Sequence, residues 1–191
     1  MKKGDLIYLT AVEEGDLKQL KDWRNIEKFK KHFREYRDLN DVMQRKWFEN
    51  NVSNDPTTIM FSIRRISDNK LLGACGLCYI NWIHRHADLS LYIGDNEAYI
   101  DDEGFAKESC EILFDYGFYQ LGLNKIWSEI YEFDSKKNEL YNSLGFQLDG
   151  RLRQNYFYDG KWWDSLIISV LKSEYSPKWS AWLESSMDKW D

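Results

Sequence analysis

The chain has 191 residues, enough for a full core, and 43% hydrophobic against 30% charged residues excludes a disordered or low-complexity protein. A net charge of −6 argues against the basic face of a general nucleic-acid binder, so no nucleic acid is expected as a partner. No apolar run could cross a bilayer, the start MKKGDLIYLT is too polar for a signal peptide, and three cysteines make no disulfide framework. The expected setting is the reducing cytoplasm, with no membrane contact.

In chain order, LIYLTAV (6–12) reads as a strand, and EEGDLKQLKDWRN follows as a helix with Leu17, Leu20 and Trp23 at helical spacing. The basic, aromatic stretch 26–37 leads to a second helix over 41–52. TIMFSIRRI sets Ile59, Phe61 and Ile63 on one strand face, and Asp68-Asn69 turn the chain into LLGACGLCYINWI, apolar on both faces like a central strand. ADLSLYIG alternates strictly, with Ala87, Leu89, Leu91 and Ile93 opposite Asp88, Ser90 and Tyr92. From Gly104 the period becomes helical through Ala106, Cys110, Leu113 and Phe114. KIWSEIYEF (125–133) is a strand, and SKKNELYNSL is a short helix closed by Gly145. Asp159-Gly160 marks a hairpin between RLRQNYFY and WWDSLIISVL. The tail at 176–191 allows a helical extension. With no repeat and no linker, residues 1–191 read as one α/β domain of mixed strand direction.

Two motifs that resemble metal sites have plainer explanations. CGLC (75–78) lies inside a strand, where residues three apart point to opposite faces, and a structural zinc wants four convergent ligands. HRH (84–86) fits a solvated turn at a strand end. No metal is expected. The stretch FKKHFREYR is either a solvated helix face or the rim of a site for an anionic ligand.

The order of elements, and the segments YGFYQLGLNKIW, LGF, LDGRLR and DGKWWDS in succession, resemble the GNAT superfamily of acetyl-CoA-dependent N-acetyltransferases, in detail its RimJ/RimL-like branch. The resemblance spans essentially the whole chain. It implies an α/β (α+β) fold with a central mixed, mostly antiparallel sheet of about seven strands flanked by helices. It also implies acetyl transfer from acetyl-CoA to a primary amine by direct attack in a ternary complex, without a metal. A protein N-terminal acetyltransferase of the ribosomal-protein type and a non-catalytic binding module of the same fold are the alternatives. Family members are often dimers, so a homodimer with a Trp-rich C-terminal contact is open.

The same resemblance implies roles for individual residues. The family's phosphate-binding loop, Gln/Arg-x-x-Gly-x-Gly/Ala, aligns with 101–106. Gly104 and Ala106 match and Asp101 departs, so the backbone of Gly104, Phe105 and Ala106, aided by Lys107, would meet the diphosphate of coenzyme A. Leu91, Tyr92 and Ile93 stand where the family pairs the pantetheine arm and aims a backbone N–H at the thioester oxygen. Asp88 is the candidate base and Tyr141 the candidate acid for the departing thiolate. The family's Asn at the start of this last helix aligns with Asp134, and Asn138 one turn on is the substitute contact. Arg34, Tyr36 and Arg37, with Lys31, would favour an anionic acceptor, such as a nucleotide-linked amino sugar, over a polyamine.

Overall fold

The computed structural model describes residues 2–177, so the C-terminal extension expected at 176–191, and the dimer contact with it, lie almost wholly outside the described residues. Eight strands form one sheet: β1 (Lys2–Lys3), β2 (Ile7–Ala11), β3 (Ile59–Arg65), β4 (Leu71–Asn81), β5 (His86–Ile93), β6 (Lys125–Tyr131), β7 (Gln147–Tyr158) and β8 (Lys161–Leu171). Their order is β1-β2-β3-β4-β5-β6-β8-β7. The strand beyond the expected seven is the two-residue β1, too short to carry a periodic signal. Five helices accompany the sheet: α1 (Leu17–Arg24), α2 (Glu27–Lys30), α3 (Asp41–Trp47), α4 (Phe105–Asp115) and α5 (Ser135–Ser143). Wider helical turns continue α3 through Ser53 and α4 through Gln120, which accounts for the longer helices the periodicity predicts.

Turn chemistry sets the antiparallel part. Asn69 (φ 62°) turns β3 into β4, and Asp159 (φ 51°) with Gly160 (φ 73°) turns β7 into β8, the two-residue hairpin whose twist suits both strands. HRH forms the exposed tip between β4 and β5, with His84 in the turn and His86 opening β5. Among the described residues no group of three or more His, Cys, Asp or Glu could hold a metal ion. Only β5 and β6 run parallel, because the connection between them crosses over through α4.

Successive residues of a strand face opposite ways, and β3 shows which helices lie where. Ser62 donates to Asp16 at the start of α1 (2.6 Å), while Phe61 meets Tyr116 beyond α4. Helices α1–α3 thus cover one face and α4 the other. Asp16 also takes a 2.6 Å bond from Arg64 Nη2, so the buried carboxylate is paired. Both faces of β5 are covered: Leu89, Leu91 and Ile93 are buried, and so are Asp88 and Tyr92. The polar half of the alternation faces α1–α3, not solvent; the Tyr92 hydroxyl donates to the Leu20 carbonyl (3.3 Å).

At the end of β5, Gly94 lies directly beneath Trp23. A Cβ there would stand 1.9 Å from Trp23 Cδ2. Gly94→Ala is expected to force α1 off the sheet and cost about 1–3 kcal/mol, measured as a lower midpoint in urea unfolding. An unchanged midpoint would mean that Trp23 is free to move.

Candidate active site

The sheet opens in its middle. β5 and β6 pair only at His86–Lys125, Ala87–Ile126 and Asp88–Trp127, and the strands part beyond Asp88. Strand alternation decides which backbone groups face the gap. Tyr92 is in register with Ala74 of β4, and the Gly94 N–H reaches the Leu72 carbonyl on the same side. The N–H groups of Leu89, Leu91 and Ile93 therefore point toward β6. Ile93 N–H donates to the Tyr99 carbonyl at 2.8 Å, and the Leu89 carbonyl accepts Ser128 Oγ at 3.4 Å. Of the three predicted backbone positions, Leu91 is the one whose amide faces the opening with no crossing partner.

Two neighbouring cavities lie on the α1–α3 face. One, of about 290 Å³, is lined by Arg34, Asp88, Leu91, Ser128, Glu129 and Lys137 among others. The second, of about 400 Å³, lies against Met43, Trp47, Met60 and Arg37. Arg24, Glu35, Trp47, Asn51, Cys78, Ser90 and Tyr92 line both.

Asp88 is 5% exposed at the point where the strands part. Arg34 Nη1 holds its Oδ2 at 2.9 Å, and Oδ1 accepts no hydrogen bond from a described residue. Burial pushes the Asp88 carboxyl above the usual range, Glu129 adds to this, and Arg34 and Lys137 oppose it. Arg34 also reaches Glu129 (3.4 Å), and Arg37 grips both oxygens of Glu35 (2.8 and 2.6 Å). That grip holds the Glu35 carboxyl down to about 2. Lys31 lies over the Phe133 and Tyr158 rings. Arg34 and Arg37 do line the cavities, but their charges are already met from within the chain. Tyr36 is 77% exposed and lines neither cavity.

On the other side of the gap, α5 presents Lys137 and Tyr141, one turn apart and so on one face. Tyr141 is fully buried and stacks on Phe146 at 4.7 Å. Its hydroxyl finds no hydrogen-bond partner; Ser128, the polar group beside it, is turned toward Leu89. An unpaired buried hydroxyl is uncommon and costs stability, so it calls for an explanation. Burial holds the phenol protonated, well above its ordinary pKa. Tyr141 does not itself line the cavity, whereas Lys137 does, as a buried amine whose pKa burial lowers against the pull of Asp134 and Asp88. Sequence reasoning missed Lys137, although its spacing from Tyr141 was a usable sign.

Asp134 caps α5 by accepting Lys137 N–H (3.1 Å), takes the Tyr99 hydroxyl (2.7 Å), and stands 3.0 Å from His32 Nδ1. The position expected to contact the ligand is thus a structural junction. Asn138, its substitute, accepts from Asn142 at 3.2 Å on the outer side of the helix and lines neither cavity.

The loop before α4 holds the largest departure from expectation. Gly104 adopts φ 98°, which glycine permits, and delivers the chain into the helix. Asp101 then folds back: Oδ2 accepts the Phe105 N–H (2.8 Å) and Oδ1 the Ala106 N–H (2.7 Å). Two of the amides predicted to meet a phosphate are already satisfied by the chain's own carboxylate. Asp95, Asp102 and Glu103 line a small acidic cavity beside them. Lys107 is exposed on the first turn.

The mixed sheet thus parts between its two parallel strands, and a strand amide, a buried carboxylate and a buried phenol surround the gap. A family model described as an acetyltransferase (GNAT) domain matches residues 9–167, and the chain belongs to this family. An uncharacterized N-acetyltransferase, p20, of Bacillus licheniformis is 32% identical over 127 residues, 66% of this chain and 70% of that protein. Spermidine N(1)-acetyltransferase of Vibrio cholerae is 28% identical over 174 residues, 88% and 95% of the two chains. The solved structure of a spermidine N-acetyltransferase from Vibrio cholerae in complex with CoA and spermine superposes with a TM-score of 0.80 at 26% identity, covering 88% of this chain and 97% of that one. The protein is an acetyl-CoA-dependent N-acetyltransferase.

The thioester end of acetyl-CoA suits the residues present: the parted strands leave the Leu91 amide free, and the orphaned Tyr141 hydroxyl lacks a partner. At the phosphate end, Asp101 competes. Asp101→Ala is expected to lose the helix cap, about 1 kcal/mol, and to bind acetyl-CoA more tightly than wild type. Thermal unfolding and calorimetric titration read the two effects; weaker binding by the variant would mean that Asp101 supports the ligand rather than rivals it.

Proposed function

We propose that the chain acetylates a primary amine of a small molecule, using Asp88 to take the proton, the Leu91 N–H to hold the thioester oxygen and Tyr141 to protonate the thiolate. The observation that carries this reading is the Tyr141 hydroxyl, buried, protonated and without a partner beside the parted strands. Acetyl-CoA supplies an acetyl thioester that an uncharged amine attacks directly. The chain's residues supply the rest. Asp88 keeps one oxygen free of hydrogen bonds while Arg34 orients the other, so it presents a fixed acceptor toward the cavity. An amide pre-aimed from a rigid strand stabilises developing negative charge without reorganising. A phenol held protonated by burial is available to donate a hydrogen bond to the thiolate as its charge develops, and Lys137 on the same helix face adds a nitrogen on the cavity wall.

The ordered motifs favour the RimJ/RimL-like branch, while the Vibrio cholerae relative acts on spermidine. A nucleotide-linked amino sugar and a protein N-terminus both fall within the primary amines this site could serve.

Tyr141→Phe removes the hydroxyl and nothing else. It is expected to lower kcat by on the order of a hundredfold while leaving acetyl-CoA affinity and thermal stability intact, since no hydrogen bond is lost. Unchanged turnover, followed as thiol release, would remove Tyr141 from the mechanism. For Asp88 the sign follows from its raised pKa: the base is the ionised form, so kcat/KM falls as pH drops through a titration lying above the usual carboxylate range. Asp88→Asn should abolish that limb of the pH profile; a limb that persists belongs to another group.

A further inference from the structure

Arg24, in the last turn of α1, lines both cavities yet makes no ion pair and no hydrogen bond among the described residues. Its Nε is buried without a partner, and its Cζ lies over the Phe33 ring, 4.0 Å from the centroid. Every other arginine on these walls is engaged: Arg34 by Asp88 and Glu129, Arg37 by Glu35. Glu35, the one carboxylate that shares both cavities with Arg24, has both oxygens bound by Arg37. A guanidinium cannot shed its proton, Glu35 attracts Arg24 only from beyond ion-pair distance, and a desolvated cation with no close anion is costly. The Phe33 ring meets one side of the group, and a guanidinium's donors form a fork that fits a carboxylate or phosphate. Asn51 lines both cavities beside Arg24, and Lys46 adds a second cation to the larger one.

We propose that Arg24 is a specificity-determining residue that binds an anionic group of the acceptor, so that the substrate is a primary amine carrying a phosphate or carboxylate. The inference rests on the acetyl-transfer reading above and gives its acceptor a chemical class. The amine lies toward Asp88, and the anion lies at Arg24 on the far wall of the same 290 Å³ cavity. Polyamines fit poorly at this end, because they bring several positive charges to a buried guanidinium that has no close anion.

The test is thiol release from acetyl-CoA with matched amines: glucosamine 6-phosphate against glucosamine, O-phosphoethanolamine against ethanolamine, lysine against cadaverine, and spermidine. The phosphate and carboxylate arms tell the two anion sources apart. Wild type is expected to favour the anionic member of at least one pair by on the order of ten- to a hundredfold in kcat/KM, the range of a charged hydrogen bond. Arg24→Gln is expected to erase that preference through KM, and Arg24→Lys to keep part of it. Equal or better use of the neutral members or of spermidine overturns the inference, as does a preference that survives in Arg24→Gln. Titration with acetyl-CoA alone isolates the underlying activity: no binding defeats the transfer reading, whereas binding with polyamine turnover defeats only the role of Arg24. Should none of these amines turn over, thermal unfolding with glucosamine 6-phosphate and with inorganic phosphate decides. A rise in midpoint seen in wild type and lost in Arg24→Gln supports the site, and no rise in wild type overturns it.

Discussion

β5 and β6 run side by side through Asp88 and Trp127 and then separate, and the rest of the active region takes its position from that parting. A parallel pair needs a crossover, and here the crossover is α4, whose buried face packs on β2, β4 and β5 and holds the far end of β5 in the sheet. β6 is held instead by β8 along its whole length. Each strand is thus secured by its outer neighbour, and the inner edges are left unjoined. An unpaired backbone inside a sheet is tolerated only where something else meets its donors. Ser128 and Tyr99 meet part of that need, and the Leu91 amide is left over.

Around the gap, charge is arranged with little surplus. Asp88, Glu129 and Glu35 are each matched by an arginine, while Asp134 gathers Tyr99, His32 and the amide of Lys137. Among the described residues, the Tyr141 hydroxyl and the Arg24 Nε are buried without a hydrogen-bond partner. In a low-dielectric interior an unmatched group costs more than a matched one contributes, so its persistence marks where a ligand belongs.

Much of the fold was legible in the residues. Strict alternation over 87–94 located β5 and sorted its faces, and Asp159-Gly160 and Gly145 marked chain reversals that the backbone angles bear out. What stayed hidden depends on contacts far apart in sequence. Arg34 looked like a free cation on a basic stretch, yet it meets Asp88, 54 positions away. Arg24 drew no notice in the sequence, since neither its contact with Phe33 nor its lack of a close carboxylate can be read from α1. Asp101 was recognised as out of place in a phosphate loop, but local pattern could not tell that its side chain would turn back onto the helix start. Periodicity carried both helices to their ends, but it does not register that their last turns widen at Phe48 and Tyr116.

The turned-back Asp101 bears on how folding and ligand loading are linked. In an ordinary anion loop the first amides of the helix await their phosphate, so the empty protein is locally incomplete and the nucleotide finishes it. Here the chain finishes itself: an internal carboxylate closes the helix end before any ligand arrives. A phosphate docking on these amides would exchange one anion for another, with part of the binding energy going into expelling the resident group. The empty enzyme gains a well-ordered loop, and the ligand loses some of its power to stabilise the fold.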